Sequence, residues 1–123
     1  MSEDPALGEL LDLLSDEYAR DILAAVSEKP MSAKQLATQC DMSEPTVYRR
    51  IRLLREHDLV EEQTKIETGG NDYNVYAATL SGFSMRLEDG TFDATVERRS
   101  APAFPGQNEA DTADRFKKMW ENL

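Results

Sequence analysis

The sequence predicts an α+β fold in which four short helices precede two β-hairpins and a last helix. Three observations predict it. Apolar residues recur at helical spacing as far as Leu54. After Val60 the period changes to that of strands, broken by a run of turn formers at 68–72. Asp89-Gly90 then stands between two segments whose apolar residues all sort onto one face.

The first helix spans residues 6–14. Its Leu7, Leu10, Leu11 and Leu14 fall at i, i+3, i+4 and i+7, a single stripe. A second helix begins after Ser15, with Asp16 and Glu17 near the positive end of its dipole. Ala19, Ile22, Leu23 and Val26 form its stripe, and Pro30 closes the segment. Ser32 with Gln35 spells a capping box and opens a third helix, with Ala33, Leu36, Ala37 and Cys40 facing inward. Asp41-Met42 makes a turn. Ser43 caps a fourth helix (43–57), with Pro45 in its first turn where no amide partner is lost. Val47, Ile51 and Leu54 face the core. His57-Asp58 ends the helix, Asp58 taking the left-handed conformation.

Residues 60–67 and 73–80 read as strands around the 68–72 loop, a hairpin placed directly after the fourth helix. In the second hairpin a two-residue Asp89-Gly90 turn sets Leu87 against Phe92, Met85 against Ala94 and Phe83 against Val96. Glu88 with Thr91, Arg86 with Asp93 and Ser84 with Thr95 take the other face. Residues 100–108 are a Pro/Gly linker. In the last helix, 112–123, Phe116, Met119, Trp120 and Leu123 again lie at i, i+3, i+4 and i+7. The chain divides into a main domain at 6–82, an added hairpin at 83–99, a linker at 100–111 and the C-terminal helix.

Residues 31–60 have the layout of a helix-turn-helix whose second helix enters the DNA major groove, and the hairpin behind it sits where a wing belongs. The fold is therefore read as a winged helix-turn-helix. The segment holds five basic and four acidic residues, a net charge of +1, within a chain whose net charge is −10. The rest of the chain carries −11 and would repel DNA. On the fourth helix Thr46, Arg49 and Arg50 lie opposite the core and are expected to meet base edges, with Tyr48 alongside. An arginine that bonds guanine bidentately gives about 1–3 kcal/mol of discrimination. Arg52, Arg55 and Lys34 are placed for phosphates. The helix amino end, with Ser43, Pro45 and Thr46, offers backbone amides to another. Lys65 and Gly70 of the wing (64–73) complete the expected contact set.

One cysteine excludes an internal disulfide and any multi-cysteine zinc site. Cys40 lies on the inward stripe of its helix and is expected to be packing. His57, the sole histidine, is expected to be a helix-end residue. No Ser/His/Asp set, phosphate-binding glycine loop or carboxylate pair in a definable pocket points to catalysis, so no enzyme activity and no cofactor are expected. No apolar run reaches signal or membrane length, and the chain is expected to be cytoplasmic. The acid excess suits a salt-rich cytoplasm, where the Debye length falls to roughly 3 Å at 1 M.

Residues 7–80 resemble the winged-helix repressors of the ArsR type, and the whole chain resembles the ArsR-like regulators of halophilic archaea. The likeness rests on LATQCDMSEPTVYRRIRLLREHDLVEE, the Gly69-Gly70 wing and NVYAATL, and later on LEDGTFDATVERR and ADRFKKMWENL. It implies a homodimer on a roughly palindromic operator. Metal sensors of this type carry Cys-x-Cys on the third helix. Here the positions read Thr38-Gln39-Cys40, and the His/Asp ligand pair near the C-terminus is missing too, so no metal is expected. The two terminal stripes, Leu7, Leu10, Leu11 and Leu14 with Phe116, Met119, Trp120 and Leu123, are expected to form the two-fold interface. The competing reading is a winged-helix protein-interaction module of the transcription machinery that does not bind DNA specifically.

Overall fold

A computed structural model of the chain describes residues 5–99. The linker and last helix expected at 100–123 lie outside the described residues. The element order is α1 (Pro5–Ser15), α2 (Glu17–Glu28), β1 (Met31–Ser32), α3 (Ala33–Gln39), α4 (Glu44–Glu56), β2 (Val60–Lys65), β3 (Tyr73–Ala78), β4 (Leu80–Glu88) and β5 (Thr91–Arg98). This is the α+β winged helix-turn-helix that the sequence predicts.

The starts of α2, α3 and α4 follow from their caps. Ala19 N–H donates to Asp16 Oδ2 at 2.9 Å, which opens α2. Ser32 and Gln35 close a reciprocal capping box at α3. Thr46 N–H donates to Ser43 Oγ at 3.3 Å, and Pro45 sits in the first turn of α4. The ends are equally local. Asp41 (φ 53°) and Asp58 (φ 56°) take the left-handed conformation just past α3 and α4. Met42 N–H returns to Ala37 O at 3.0 Å and Leu59 N–H to Leu54 O at 2.9 Å, so both helices end in Schellman turns.

The core lies between α1–α4 and the inner face of the sheet. Ile22, Val26, Leu36, Val47, Leu54 and Leu59 are its largest fully buried side chains. Burial of each stabilises the fold by about 1.5–3 kcal/mol. Helix α1 departs from its expected stripe. Leu7, Leu10 and Leu13 are buried, whereas Leu11 and Leu14 are half-buried. The helix is turned toward its Leu13 flank, where Leu10 and Leu13 join the core. Leu7 is buried outside that core cluster, and with Leu10 it lines a groove between α1 and β5.

The three-stranded sheet has the order β1-β3-β2, all antiparallel, with Met31 opposite Tyr76 and Val60 opposite Ala78. The two-residue β1 that joins the wing sheet was not expected from sequence. The second hairpin begins at Leu80, three residues earlier than the sequence boundary, with an irregularity between Leu80 and Gly82. All six cross-strand pairs from Phe83–Val96 to Glu88–Thr91 occur as expected. Asp89 (φ 54°) and Gly90 (φ 79°) form the turn with both central residues left-handed, the type I′ geometry that suits strand twist.

Candidate nucleic-acid interface

Helix α4 presents two unlike faces. Val47, Ile51 and Leu54 are buried, while Tyr48, Arg49 and Arg52 are exposed, Tyr48 at 56%. Among the described residues Arg49 and Arg52 make no ion pair, so their guanidinium groups are free to meet a ligand. Thr46 is half-buried, and its hydroxyl accepts a hydrogen bond from Ser43 Oγ at 2.9 Å. Pro45 is exposed beside it.

Arg50 is held apart from Arg49 and Arg52. Its Nε donates to Asp16 Oδ2 at 2.7 Å, and its guanidinium lies 5.8 Å from the centre of the Tyr18 ring. The Arg50 side chain is only 21% exposed. In the folded chain residue 50 lies on the side of α4 nearest α2, where its long side chain reaches the Asp16 cap. Arg50 thus ties α4 to the start of α2, a different placement from the one expected from the sequence. Partial burial opposes the charged form of Asp16. The hydrogen bonds from Arg50 and from Ala19 N–H, with the charges of Arg50 and Arg20, outweigh it and hold the carboxyl below its ordinary 3.8.

Arg55 is half-exposed and bonded to Glu62 of β2 at 3.1 Å, which aims it along the sheet. Glu62 also faces Tyr76. Burial, and then the Glu62 carboxylate, push that phenol up to about 12. Lys34 is exposed on α3, in a shallow groove with Lys29, Gln35 and Thr38. Cys40 is half-buried, and burial followed by the charge of Asp21 raises its thiol above the ordinary value. That disfavours the reactive thiolate. Among the described residues no group of three His, Cys, Asp or Glu side chains could hold a metal ion, and no helix is long and apolar enough to cross a membrane.

On the wing, Gly69 (φ 124°) and Gly70 (φ 89°) make the turn, and Gly70 N–H donates to Glu67 O at 3.1 Å. Lys65 is half-buried. The tip carries Ile66, 83% exposed, which sequence reading missed because a lone apolar residue beside a turn has no periodicity. Also missed were three arginines at helix ends. Arg20 donates to Leu14 O at 2.9 Å, Arg99 to Ser27 O at 3.2 Å, and Arg98 to Asp58 O and His57 O at 3.0 and 3.1 Å. Each places a cation where a helix dipole is negative. Thr79, buried, adds an Oγ1 donor to Asp58 O at 2.8 Å.

Fold and site together define a winged helix-turn-helix protein with an arginine- and tyrosine-bearing second helix. Residues 14–63 match the family described as "Helix-turn-helix domain". Among solved structures, the chain is similar to the reduced form of the transcriptional regulator YodB from B. subtilis. That match has 22% identity and a TM-score of 0.54, covering 63% of this chain and 76% of that one. It is also similar to reduced HlyU from Vibrio cholerae N16961, with 21% identity and a TM-score of 0.47, covering 58% and 70%. No curated protein matches the chain.

Proposed function

We propose that this chain is a sequence-specific DNA-binding transcription regulator that acts as a homodimer on a roughly palindromic operator. One observation carries the reading. Helix α4 buries Val47, Ile51 and Leu54 and turns Tyr48, Arg49 and Arg52 outward, in the one segment that escapes the acidity of the chain. Arg49 and Tyr48 read base edges, with Thr46 at the helix start. Arg52, Lys34 and the half-held Arg55 meet phosphates. Ser43 and Pro45 shape the amino end that faces a phosphate. Lys65, Gly70 and the exposed Ile66 belong to the wing contact.

Two copies place two such helices one DNA turn apart, about 34–36 Å. The two-fold surface expected from the sequence draws on Leu11 and Leu14, which are half-buried, beside Leu7 and Leu10. The acidic body discourages nonspecific approach, so binding rests on base contacts and shape more than on counterion release.

The test is an electrophoretic shift with genomic fragments. The expected result is a shift at discrete fragments that Arg49→Ala plus Arg52→Ala abolishes, with a shallow dependence on salt. Intact binding by that double variant would sink the assignment of the reading face. No shift with any fragment would favour the protein-interaction module.

A further inference from the structure

A groove of about 350 Å³ lies between α1 and β5 and takes no lining from Tyr48, Arg49 or Arg52. Its volume falls in the range of small-ligand sites, roughly 300–1,000 Å³, which are mostly apolar with a few polar groups that fix orientation. One wall is Leu7 and Leu10, one turn apart on α1. The other is Phe92, Ala94 and Val96 of β5. Alternate residues of a strand share a face, so these three stand in a row of roughly 14 Å. Asp93 also borders the groove, but by register its side chain belongs to the other face of the ribbon, opposite Arg86.

The row ends at Arg98, two residues on and on the same face. Its Nε and Nη2 donate to the carbonyls of Asp58 and His57 at 3.0 and 3.1 Å. These bonds hold the guanidinium in place and leave its charge uncompensated. Among the described residues Arg98 makes no ion pair and its Nη1 has no acceptor. This stands out in a chain with 24 acidic residues against 14 basic ones. A fixed guanidinium at the end of an apolar trough is complementary to an anion with an apolar body. A carboxylate on Nη1 gains a charge-assisted hydrogen bond, stronger than a neutral one. Each wall presents a single row of side chains, which suits an extended chain better than a fused ring.

We propose that this groove binds a medium-chain monocarboxylate, its chain along Phe92, Ala94 and Val96 and its carboxylate on Arg98. The site is independent of the DNA-binding reading, because the two share no residue.

Isothermal titration calorimetry of the full chain with decanoate, below its micelle concentration, is the test. The expected result is one site per chain, with decanol and decylammonium about ten-fold weaker or more, since only the carboxylate gains the charged bond. Arg98→Gln should lower the affinity for decanoate about ten-fold and leave that for decanol unchanged. Ala94→Trp, at an exposed position, should fill the trough and abolish binding, with the far-ultraviolet circular dichroism preserved. If Arg98→Gln misfolds, the head-group series on the unmodified chain decides. Absence of decanoate binding would overturn the proposal. So would several sites per chain, equal affinity for decanoate and decylammonium, or binding that Ala94→Trp leaves in place. A dimer that Ala94→Trp dissociates, with no decanoate bound to the parent chain, would make a second copy the occupant and refute it.

Discussion

Arg50 reaches back across 34 residues to donate its Nε to Asp16 Oδ2 at 2.7 Å, so the cap of α2 and the flank of α4 share one carboxylate. Asp16→Ala removes both the cap and the tie. We expect it to destabilise the chain by about 1–2 kcal/mol, most of it from the cap. Arg50→Ala leaves the cap and should cost about 0.5–1 kcal/mol, as suits a partly solvated pair. Urea unfolding of the two variants and the double variant measures the coupling. Equal losses from the two single changes would show that the cap contributes nothing.

The same carboxylate makes a pH prediction. The folded state holds Asp16 below 3.8, so its ionised form is favoured by folding. That stability is present above the ordinary carboxylate range and is lost as pH falls through the lowered value. Asp16→Asn keeps a capping side chain and removes the charge. Its deficit relative to the parent chain should be full near neutral pH and should close in acid, as pH falls below the ordinary carboxylate range and through the lowered value. A deficit unchanged by acid would refute the electrostatic account.

On the reading helix, Arg49→Ala should cost about 1–3 kcal/mol of operator affinity and relax the preference at one base pair. Lys34→Ala should weaken binding evenly across sequences and lower the salt slope by about 1. Arg50→Ala, once its stability loss is allowed for, should leave sequence preference unchanged. Titration against an operator and its single-base variants separates the three.

Tyr76 predicts alkaline behaviour. Its phenol, pushed up to about 12, favours the folded state while neutral. This contribution is complete below the ordinary tyrosine range near 10 and disappears as pH rises through about 12. Ultraviolet titration should show one of the four tyrosines ionising last. Tyr76→Phe should remove that step and flatten the loss of stability in alkali. Four tyrosines titrating together would contradict the burial of this group.

Arg98 holds the His57 and Asp58 carbonyls, just past the end of α4, from the far strand. Arg98→Ala should speed hydrogen exchange in the last turn of α4 and at the base of the hairpin, and cost about 1 kcal/mol. Amides of α2 and α3 should keep their protection. Uniform acceleration would mean that Arg98 acts on the whole fold.

Most of the fold was legible because its signals are local. Ser32, Ser43 and Asp58 act within a few residues, and Asp89-Gly90 sets the hairpin register by turn chemistry and face sorting alone. What escaped depends on partners distant in sequence. The rotation of α1 toward Leu13 is decided by its neighbours in the core, and a stripe of leucines admits more than one angle. Arg50 looked like a reader because a helical wheel shows faces and not the Asp16 beside one of them. Arg98 lies 40 residues from the carbonyl it serves. Strand pairing brought it there, and no spacing rule reaches that far.

The Arg98 fork has a mechanical consequence. One guanidinium fastens the tail of the reading helix to the root of the β4–β5 ribbon, while Thr79 and Leu59 pin the same joint through the backbone. The end of α4 and the root of the ribbon therefore share one joint, held by the two guanidinium bonds and by the Thr79 and Leu80 amides on Leu59 O.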